Sequence, residues 1–420
     1  MFTVSDVGAK LTTTKIRQKI EGLVNSTRDY CFEVFDAIYF RFEGKAVEKS
    51  TCKILFVRLD AIGDFILWVD AARSLREIYP RGRYHLTLLG NSLWATLARD
   101  LDIFDEVWSL DRRQFSKKIL YRIALLKKIK LQGFETAIQP SYSRDLMFGD
   151  SVIRASAAKV RIGSIGDCSN ISSRRKRKSD QWYSKLLPAT FEPITELERN
   201  AEFLRGLGLP GFKSSVPELP VVVPSPVSLA SYYILFPGAG ATQRQWPVAN
   251  FARLAEKIYQ ATGWTGVICG GPGEAKLGET LMDIAAAPLE NWAGKTSLQE
   301  LIAIIARANL LLSNETSAVH IAAGVSTPSV CLLGGGHYGR FLPYRIEQKT
   351  TRPLPVICVF QMKCFGCNWD CPYCTAAEVA PCIAQISVDA VWAEVQALLP
   401  EDKEAGNPTI NRVLSPQVPT

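Results

Sequence analysis

A polar turn in the second half of the chain carries the side chains best suited to binding a phosphorylated ligand. It links two apolar runs that predict buried strands, and residues 315–318 are predicted to form the first turn of a short helix. A helix N-terminus offers unpaired backbone N–H groups and the positive end of the helix dipole, which suits a phosphate or pyrophosphate. A capped helix with a buried histidine is the simpler alternative. The polar residues of this turn are Asn314, Glu315, Thr316, Ser317 and His320.

A second loop, directly after the first predicted strand (residues 54–57), carries two carboxylates. In this loop Gly63 permits a close approach of the backbone, and Asp64 is expected to cap the following helix and to face a cleft. Asp64 is the candidate catalytic base, because a carboxylate there can take the proton of an acceptor hydroxyl. Arg58 and Asp60 are candidates for acceptor binding. Asp60 remains an alternative base, and a simple helix cap remains an alternative role for Asp64.

Glycine-rich turns follow other predicted strands of the second half. Gly238 brings backbone close to a ligand, and Arg244 supplies a permanent cation that can bind a phosphate in bidentate fashion. The turn 270–273 is also glycine-rich, and either Thr296 or Ser297 is expected to cap a helix. The spacing fits neither a Walker loop nor a dinucleotide fingerprint. Together with the polar turn described first, these make four polar or glycine-rich turns in one domain. Such a set predicts a nucleotide pocket, although each turn alone could be a plain connection.

Six of the eleven cysteines fall within residues 358–382, and four of them form the pattern C-x2-C-x3-C-x2-C. Two C-x-x-C pairs in a cytosolic chain predict a tetrathiolate zinc or iron site. The three-residue gap is shorter than in ordinary zinc ribbons, so the four need not all bind one ion. Free thiols or a disulfide are the alternative. The candidate metal ligands are Cys364, Cys367, Cys371, Cys374 and Cys382.

Alternating strand and helix patterns predict the scaffold that positions these residues. From residue 53 to residue 140 strands alternate with helices, including single helices over 65–79 and 115–131. A stretch rich in Ser, Arg and Lys over 141–200 is predicted to be a long loop or lid. A second alternating series runs from residue 232 to residue 399. Strands separated by such helices form parallel sheets covered on both faces, so the predicted fold class is α/β, with two Rossmann-like open parallel-sheet domains facing a cleft.

Composition sets the expected domain limits. The predicted segments are an N-terminal helical extension (1–50), a first sheet domain (51–220), a Pro-rich linker (221–230), a second sheet domain (231–400) and a disordered tail (401–420). Apolar residues recur at helical spacing over 15–42, and this face is expected to pack onto the adjoining domain, with a membrane surface as the alternative.

Positive charge is concentrated in the first half of a chain whose formal net charge is +8. Residues 51–220 carry 28 lysines and arginines against 19 acidic residues, including the run Arg-Arg-Lys-Arg-Lys at 174–178. Such a surface predicts an anionic partner. No apolar run reaches the roughly 20 residues of a membrane span, and the first residues lack the pattern of a signal peptide. A cytoplasmic protein, peripheral at the inner membrane, is therefore expected.

The order of these motifs resembles glycosyltransferase family 9, the heptosyltransferase family of lipopolysaccharide core assembly, over residues 53 to 399. The resemblance implies a GT-B fold, in which 51–220 binds the acceptor and 231–400 binds the nucleotide sugar. The matching segments are Ile-Leu-Phe-Val-Arg-Leu-Asp-Ala-Ile-Gly-Asp (54–64), Pro-Gly-Ala-Gly (237–240) through Gln-Trp-Pro (245–247), Gly-Lys-Thr-Ser-Leu (294–298), and Ser-Asn-Glu-Thr-Ser-Ala-Val-His-Ile-Ala-Ala (313–323) with Thr-Pro (327–328).

The same resemblance implies inverting transfer of a sugar, often from ADP-heptose, to a lipopolysaccharide-type or other anionic glycan acceptor, without a catalytic metal. Asp64 matches the family's base, and Arg244 falls where the family has a lysine that neutralises the donor phosphates. Glu315, Thr316 and His320 match the acidic–Thr–Gly–x–x–His donor motif, which has glycine where this chain has Ser317.

The cysteines also resemble a feature of the family, in which C-x-x-C, Cys-Pro and a later cysteine form a finger. In some protein heptosyltransferases this finger binds iron, so a metal here is expected to be structural zinc or iron. Two alternatives to a glycolipid-modifying enzyme follow from the sequence. One is a heptosyltransferase with a protein acceptor, and the other is a non-catalytic nucleotide or nucleic-acid binding protein on the same fold. A nucleic-acid partner is disfavoured, because no RNA-stacking motif or helix-turn-helix pattern is present.

Overall fold

The structure, a computed structural model, describes residues 52–400 together with Cys31, Phe32, Val34 and Asp36. These four N-terminal residues are helical, and Asp36 bonds the buried Arg122 at 2.7 Å. The guanidinium of Arg122 also lies 5.3 Å from the ring of Phe32. This part of the extension therefore packs on the first domain, as expected. The rest of the predicted extension and the predicted tail lie outside the described residues.

The first half folds around a six-stranded parallel sheet with the order β3-β2-β1-β4-β5-β6. The central strand β1 is a run of apolar residues that is buried from its third residue onward, as expected for a strand covered on both faces. The strands are Cys52–Arg58 (β1), Tyr84–Asn91 (β2), Glu106–Leu110 (β3), Thr136–Gln139 (β4), Val160–Ser164 (β5) and Lys185–Leu187 (β6).

Short helices cover both faces of this sheet. They are Ile62–Ile66 (α1), Val69–Arg73 (α2), Leu75–Ile78 (α3), Ala95–Asp100 (α4), Arg112–Lys117 (α5), Ile119–Leu131 (α6), the π-helix Leu146–Asp150, Ser151–Ala155 (α7), Ser173–Asp180 (α8) and Glu196–Leu207 (α9). The single helices predicted over 65–79 and 115–131 are thus broken into three and two pieces. The prediction of a long loop over 141–200 is wrong, because two strands and several helices lie there.

The second half repeats the same topology, with the order β12-β11-β10-β7-β8-β9 and every pair parallel. Counted from its own first strand, each sheet therefore has the order 3-2-1-4-5-6 of a Rossmann fold. Its strands are Tyr232–Phe236 (β7), Thr265–Ile268 (β8), Leu289–Asn291 (β9), Leu310–Asn314 (β10), Ser329–Leu332 (β11) and Val356–Cys358 (β12).

The helices of the second half include the long amphipathic α10, whose buried residues include Phe251 and Leu254. They are Val248–Thr262 (α10), Ala275–Ile284 (α11), Leu298–Arg307 (α12), Ser317–Val325 (α13), Pro381–Ala384 (α14) and Val388–Leu398 (α15), with 3-10 turns at Thr242–Arg244, Pro272–Glu274 and Gly335–His337. No helix among the described residues is long and apolar enough to span a membrane. Residues 221–230, predicted as a linker, contain no helix or strand.

The two halves meet at the carboxyl ends of their sheets, where α1 of the first packs on α13 of the second. Gly63 makes this contact possible, because a Cβ there would lie 3.1 Å from Cδ2 of His320. The backbone N–H of Glu196 donates to the carbonyl of Arg340 at 2.7 Å and ties the halves together at a second point. In each sheet the strand order reverses beside its first strand, and open α/β folds bind ligands at such switch points.

Candidate active site

A cleft of about 790 Å³ lies between the two domains, at these switch points. The first domain contributes the start of α1, with Gly63 and Asp64, together with Leu93, and the second domain supplies the other walls. Seven of the eight predicted catalytic and donor residues line it, and Gly238 lies in the adjoining loop. The lining residues among them are Asp64, Arg244, Thr296, Glu315, Thr316, Ser317 and His320.

Asp64 lies in the first turn of α1 and is not the N-cap; that position belongs to Ala61, whose side chain cannot accept a hydrogen bond. The Asp64 carboxylate accepts no hydrogen bond from the described residues, although Asp64 is partly buried. Burial raises the pKa of Asp64 to about 7, helped by the neighbouring carboxylates of Asp60 and Glu196. A carboxyl group whose pKa is near 7, and which accepts no hydrogen bond from the described residues, is suited to act as a general base.

Asp60, by contrast, is engaged. It pairs with Arg58 at 3.2 Å and accepts a hydrogen bond from the hydroxyl of Ser141 at 3.2 Å. Asp60 also lines the hollows beside Asp64, so contact with an acceptor is open to it. The geometry thus distinguishes the two carboxylates that the sequence could not rank firmly as catalytic base, and it favours Asp64.

Arg58 is 0% exposed and lines none of these hollows. Its guanidinium donates to the Asn200 side chain at 2.8 Å and to the backbone carbonyl of Asp64 at 3.1 Å, and it pairs with Glu196 at 3.4 Å. The predicted direct contact with an acceptor is therefore wrong for this residue. Arg58 instead fixes the position of the loop that carries Asp60 and Asp64.

The donor side is built on β10 and α13. The helix begins at Ser317, two residues later than predicted, because Thr316 is the N-cap and its hydroxyl accepts from the N–H of Ala318 at 3.3 Å. Asn314 is fully buried and holds the loop after β7, donating to the carbonyl of Pro237 at 2.7 Å. Asn314 is therefore structural, while Thr316 and Ser317 present the helix N-terminus to the cleft.

Glu315 and Arg244 form an ion pair inside the cleft. One guanidinium nitrogen of Arg244, Nη2, donates to the backbone carbonyl of Glu315 at 2.7 Å and lies 3.2 Å from its Oε2. Burial raises the pKa of Glu315 to about 7, against the lowering influence of Arg244. The Nε of Arg244 has no partner among the described residues, so part of this cation remains available to a phosphate.

His320 is buried and lies against the first domain. Its Nδ1 lies 2.6 Å from the hydroxyl of Tyr344, and burial together with Arg244 lowers the pKa of His320 to about 4. The imidazole is therefore neutral at pH 7. It lines the cleft opposite Gly63 without contributing charge.

The far end of the cleft is formed by the loops after β8 and β9. Ser297 caps α12 through a capping box, which leaves Thr296 to line the cleft. Glu274, missed by the sequence reasoning, also lines it and accepts from the N–H of Gly271 at 2.7 Å. A Cβ at Gly238 would collide with the carboxylate of Glu274. The glycine signal at 238 therefore reflects close packing against an acidic side chain at this end.

Two further residues that the sequence reasoning missed, His337 and Phe341, line both the main cleft and a hollow of about 250 Å³ on the Asp64 side. Arg340 and Ser143 also line this hollow, and the Ser143 hydroxyl is buried without a partner. No periodic pattern marks these positions. The glycines at 334–336 were the available signal, because they indicate a tight turn at the end of β11.

The Cys-rich segment packs beside the donor wall. Burial raises the pKa of Cys382, and the nearby thiols of Cys364, Cys371 and Cys367 raise it further. The sulfur of Cys374 instead accepts from Gln243 at 3.8 Å. In the described part of the chain, no group of three or more His, Cys, Asp or Glu side chains is arranged to hold a metal ion. Thiols are the right donors for zinc or iron, but their present positions do not form a ligand set.

Several basic residues of the first half make contacts within their own domain. Arg122 is buried against Asp36, and Arg112 pairs with Asp145 at 3.4 Å while it lies over the ring of Phe148. The basic run at 174–178 forms most of α8, in which Lys176 pairs with Asp180 at 3.0 Å. The run is thus a capped helix on the first domain.

Two Rossmann-like domains that face each other across a ligand cleft define the GT-B class of glycosyltransferases. The structure is similar to that of Escherichia coli ADP-heptose lps heptosyltransferase II, with a TM-score of 0.58 and 18% sequence identity over 82% of this chain and 98% of that chain. The GT-B fold predicted from the sequence is confirmed.

The sequence model of Glycosyltransferase family 9 (heptosyltransferase) matches residues 219–360. The lipopolysaccharide core heptosyltransferase OpsX of Haemophilus influenzae is 22% identical over 312 residues, which cover 70% of this chain and 82% of the relative. Lipopolysaccharide heptosyltransferase 3 of Escherichia coli is 24% identical over 290 residues, 65% of this chain and 80% of the relative. Over most of its length the chain is thus similar to heptosyltransferases, and residues 219–360 match the sequence model of glycosyltransferase family 9.

Proposed function

We propose that the chain is an inverting glycosyltransferase that moves a sugar, with heptose as the first candidate, from a nucleotide sugar to a lipopolysaccharide-type or other anionic glycan. One observation carries the proposal. A partly buried carboxylate that accepts no hydrogen bond from the described residues, Asp64, shares one cleft with the cation of Arg244 and the N-terminus of α13. A base on one domain and a phosphate site on the other are the two parts that direct displacement at a sugar carbon requires.

In this reaction Asp64 takes the proton of an acceptor hydroxyl, and the freed oxygen forms a bond to the anomeric carbon. The bond between that carbon and the diphosphate oxygen breaks on the opposite face, and the nucleoside diphosphate leaves with the electron pair. Arg244 and the backbone N–H groups at the start of α13 stabilise the charge that develops on the leaving group. The step needs no metal ion, since these groups supply the positive charge.

The donor is proposed to lie along the second domain, with its diphosphate at α13 and its nucleoside toward the loops after β8 and β9. Glu274 lines that end of the cleft, and burial raises the pKa of its carboxyl. An acidic side chain there is suited to accept hydrogen bonds from ribose hydroxyls, as it does in other Rossmann-like sites. ADP-heptose is the first donor to test, because the structurally similar Escherichia coli protein is an ADP-heptose lps heptosyltransferase.

The acceptor is proposed to approach through the hollow on the Asp64 side. Ser141, Ser143 and Asn170 line this hollow with hydroxyl and amide groups, and Arg340 adds a cation. The basic excess of the first domain favours an anionic glycan at a membrane surface. A cytoplasmic protein that is peripheral at the inner membrane fits this proposal.

The cysteines are proposed to bind a structural zinc or iron ion. Cys364, Cys367 and Cys371 each interact electrostatically with Cys382, whereas Cys374 interacts with Cys371 and Gln243. The first four are therefore the better candidate ligands, and no step of sugar transfer passes through the ion. It would tighten a segment that packs against the donor wall.

Nucleotide-sugar binding followed by transfer tests the proposal. Thermal shift should identify one donor among ADP-heptose and the common UDP and GDP sugars, and radiolabel from that donor should appear on a lipopolysaccharide core acceptor. Label on a protein instead would favour the protein-acceptor alternative. Absence of a shift with every nucleotide sugar, together with salt-dependent binding of RNA or DNA, would contradict the proposal and favour the non-catalytic alternative.

A further inference from the structure

Two buried polar atoms lie close together in the second-domain wall of the cleft, without hydrogen-bond partners among the described residues. They are Oε1 of Glu315 and Nδ1 of His337, which lie 3.9 Å apart. That separation is too long for a hydrogen bond between them. Glu315 is 3% exposed and the His337 side chain 17% exposed. Buried polar groups rarely remain unsatisfied, so a ligand group is expected between them.

The chemistry of both atoms indicates what this ligand group is. The Nε2 of His337 lies 3.2 Å from Oδ1 of Asn368, and a carbonyl oxygen can only accept, so Nε2 carries the proton and Nδ1 is an acceptor. Burial and the nearby cations Arg244 and Arg340 lower the pKa of His337 to about 4, which keeps the ring neutral. Two adjacent acceptors favour two adjacent donors, such as neighbouring hydroxyl groups of a sugar ring.

The place of His337 identifies which part of the donor it meets. His337 and Asp64 line both the main cleft and the hollow on the acceptor side. The nucleoside end of the cleft, with Glu274 and Thr296, does not extend into that hollow. The sugar to be transferred must lie at the junction, because its anomeric carbon has to reach both Asp64 and the diphosphate site.

The Cys-rich segment fixes the position of the imidazole. The ring of Trp369 lies edge-on to His337 at 6.0 Å and fills the space above Gly334 and Gly336. The backbone N–H of Asn368 donates to the carbonyl of Gly336 at 3.0 Å. Phe341 packs edge-on to the other side of the imidazole at 5.3 Å. A histidine held on both sides, with one ring nitrogen left without a hydrogen-bond partner among the described residues, is prepared for ligand recognition.

We propose that His337 is a specificity-determining residue whose Nδ1, beside Oε1 of Glu315, accepts a hydrogen bond from a hydroxyl group of the transferred sugar. The inference rests on the proposed nucleotide-sugar transfer and adds a residue that lies outside the recognised donor motif. It places sugar selection partly on the turn after β11, which the Cys-rich segment supports.

The test compares His337→Phe, which keeps an aromatic ring between Phe341 and Trp369, with His337→Asn, which keeps an acceptor oxygen near the position of Nδ1. His85→Phe, at the amino end of β2 and therefore away from the cleft at the carboxyl ends of the strands, is the control. The dissociation constants of ADP and ADP-heptose are measured by calorimetry for each protein. We expect His337→Phe to weaken ADP-heptose roughly tenfold while ADP changes less than about twofold, because one hydrogen bond to the sugar is lost. His337→Asn should retain most of the affinity, and His85→Phe should change neither constant.

Unchanged binding of ADP-heptose by His337→Phe would overturn the inference and leave the proposed function intact. Equal weakening of ADP and ADP-heptose would overturn it as well, since His337 would then only support the fold of the site. If wild-type protein binds ADP-heptose but transfers no sugar from it or from the UDP and GDP sugars, the proposed function fails, whereas a selective loss in His337→Phe would still support the sugar contact. If the wild-type protein binds a UDP or GDP sugar in place of ADP-heptose, the same comparison is made with that sugar and its nucleotide, and absence of binding of every nucleotide sugar would overturn both.

Discussion

Replacing the proposed base should stop transfer and at the same time stabilise the protein at alkaline pH. In Asp64→Asn the amide cannot take the acceptor proton, so kcat is expected to fall by about 10² to 10⁴. In the wild-type enzyme kcat should rise with pH through about 7, because the deprotonated carboxylate is the active form and the pKa of Asp64 is raised to about 7.

The stability change follows from the same pKa. The ordinary value of 3.8 is raised to about 7, chiefly by burial. The folded state therefore holds the proton more tightly than the unfolded state. The resulting stabilisation is complete below about pH 4 and is lost as pH rises to about 7. Roughly 3 units at about 1.4 kcal/mol each give an upper value of about 4 kcal/mol. Because Asp64 borders the cleft and water relaxes around it, a difference of about 1–3 kcal/mol is expected in practice.

Asp64→Asn lacks this titration, so its free energy of unfolding should exceed that of the wild type by this amount at pH 8. The difference should shrink toward pH 4. Urea denaturation of both proteins at pH 5, 6, 7 and 8 measures this difference in the free energy of unfolding. The other titrating groups affect the two proteins equally, so their contributions cancel. Asp60→Asn is the matched control. It removes a partner of the buried Arg58, so it should lower stability at pH 8 by about 1–3 kcal/mol.

Two outcomes would refute this reasoning. If Asp64→Asn retained more than a tenth of wild-type kcat, Asp64 would not be the base. If its stability difference from the wild type did not change between pH 5 and pH 8, the carboxylate would not be a buried group with a raised pKa. Loss of activity in Asp60→Asn with full activity in Asp64→Asn would exchange the two assignments.

Two other substitution series follow from the donor wall and the cysteines. Arg244→Ala should lower kcat by about 10² to 10³, because the diphosphate and Glu315 both lose their cation. The kcat of Arg244→Lys should lie between those of the wild type and Arg244→Ala, since a lysine cannot bind Glu315 and a phosphate through two separate nitrogens. Equal activity of all three proteins in steady-state assays would contradict the role of Arg244. Protein purified without chelator should contain about one equivalent of zinc plus iron by elemental analysis. Cys367→Ser should lose this metal, and the remote control Cys168→Ser should keep it. Less than a tenth of an equivalent in the wild type would exclude the metal.

Local patterns were enough to predict the sheets and the donor turn. The strand β10, its polar turn and the helix α13 are consecutive in sequence, and a change from an apolar run to capping residues marks each boundary. The helix start was predicted at Glu315, two residues before Ser317, because every side chain from 314 to 317 carries an oxygen that can accept a hydrogen bond from a helix N-terminus. Thr316 is the cap in the structure, where Glu315 turns instead to Arg244.

Arg58 shows why the sequence placed a residue in ligand contact that the structure buries away from the cleft. It follows a buried strand at a ligand-facing edge, which made a ligand contact the simplest prediction. Its actual partners, Glu196 and Asn200, lie on α9, about 140 positions away. A pattern within one loop carries no information about such partners, so the burial of Arg58 depends on how α9 packs in the folded domain.

Residues 141–200 were predicted as a loop for a related reason. The strands there are five and three residues long, and α8 consists almost entirely of basic and polar residues, so neither period is visible. Ser172 caps α8 and Lys176 pairs with Asp180, and these contacts replace the apolar face that usually marks a helix. Helices stabilised this way depend on their surroundings more than on propensity.

The Cys-rich segment connects these observations to the choice of sugar. The sequence placed it outside the transfer chemistry, yet its Asn368 and Trp369 hold His337, and the sulfur of Cys382 accepts from the N–H of Gly335 in the same turn. The segment and the donor wall are therefore one packed unit. A substitution at Cys382 should consequently alter donor selectivity as well as stability, because a shift of this turn displaces the imidazole from the carboxylate of Glu315.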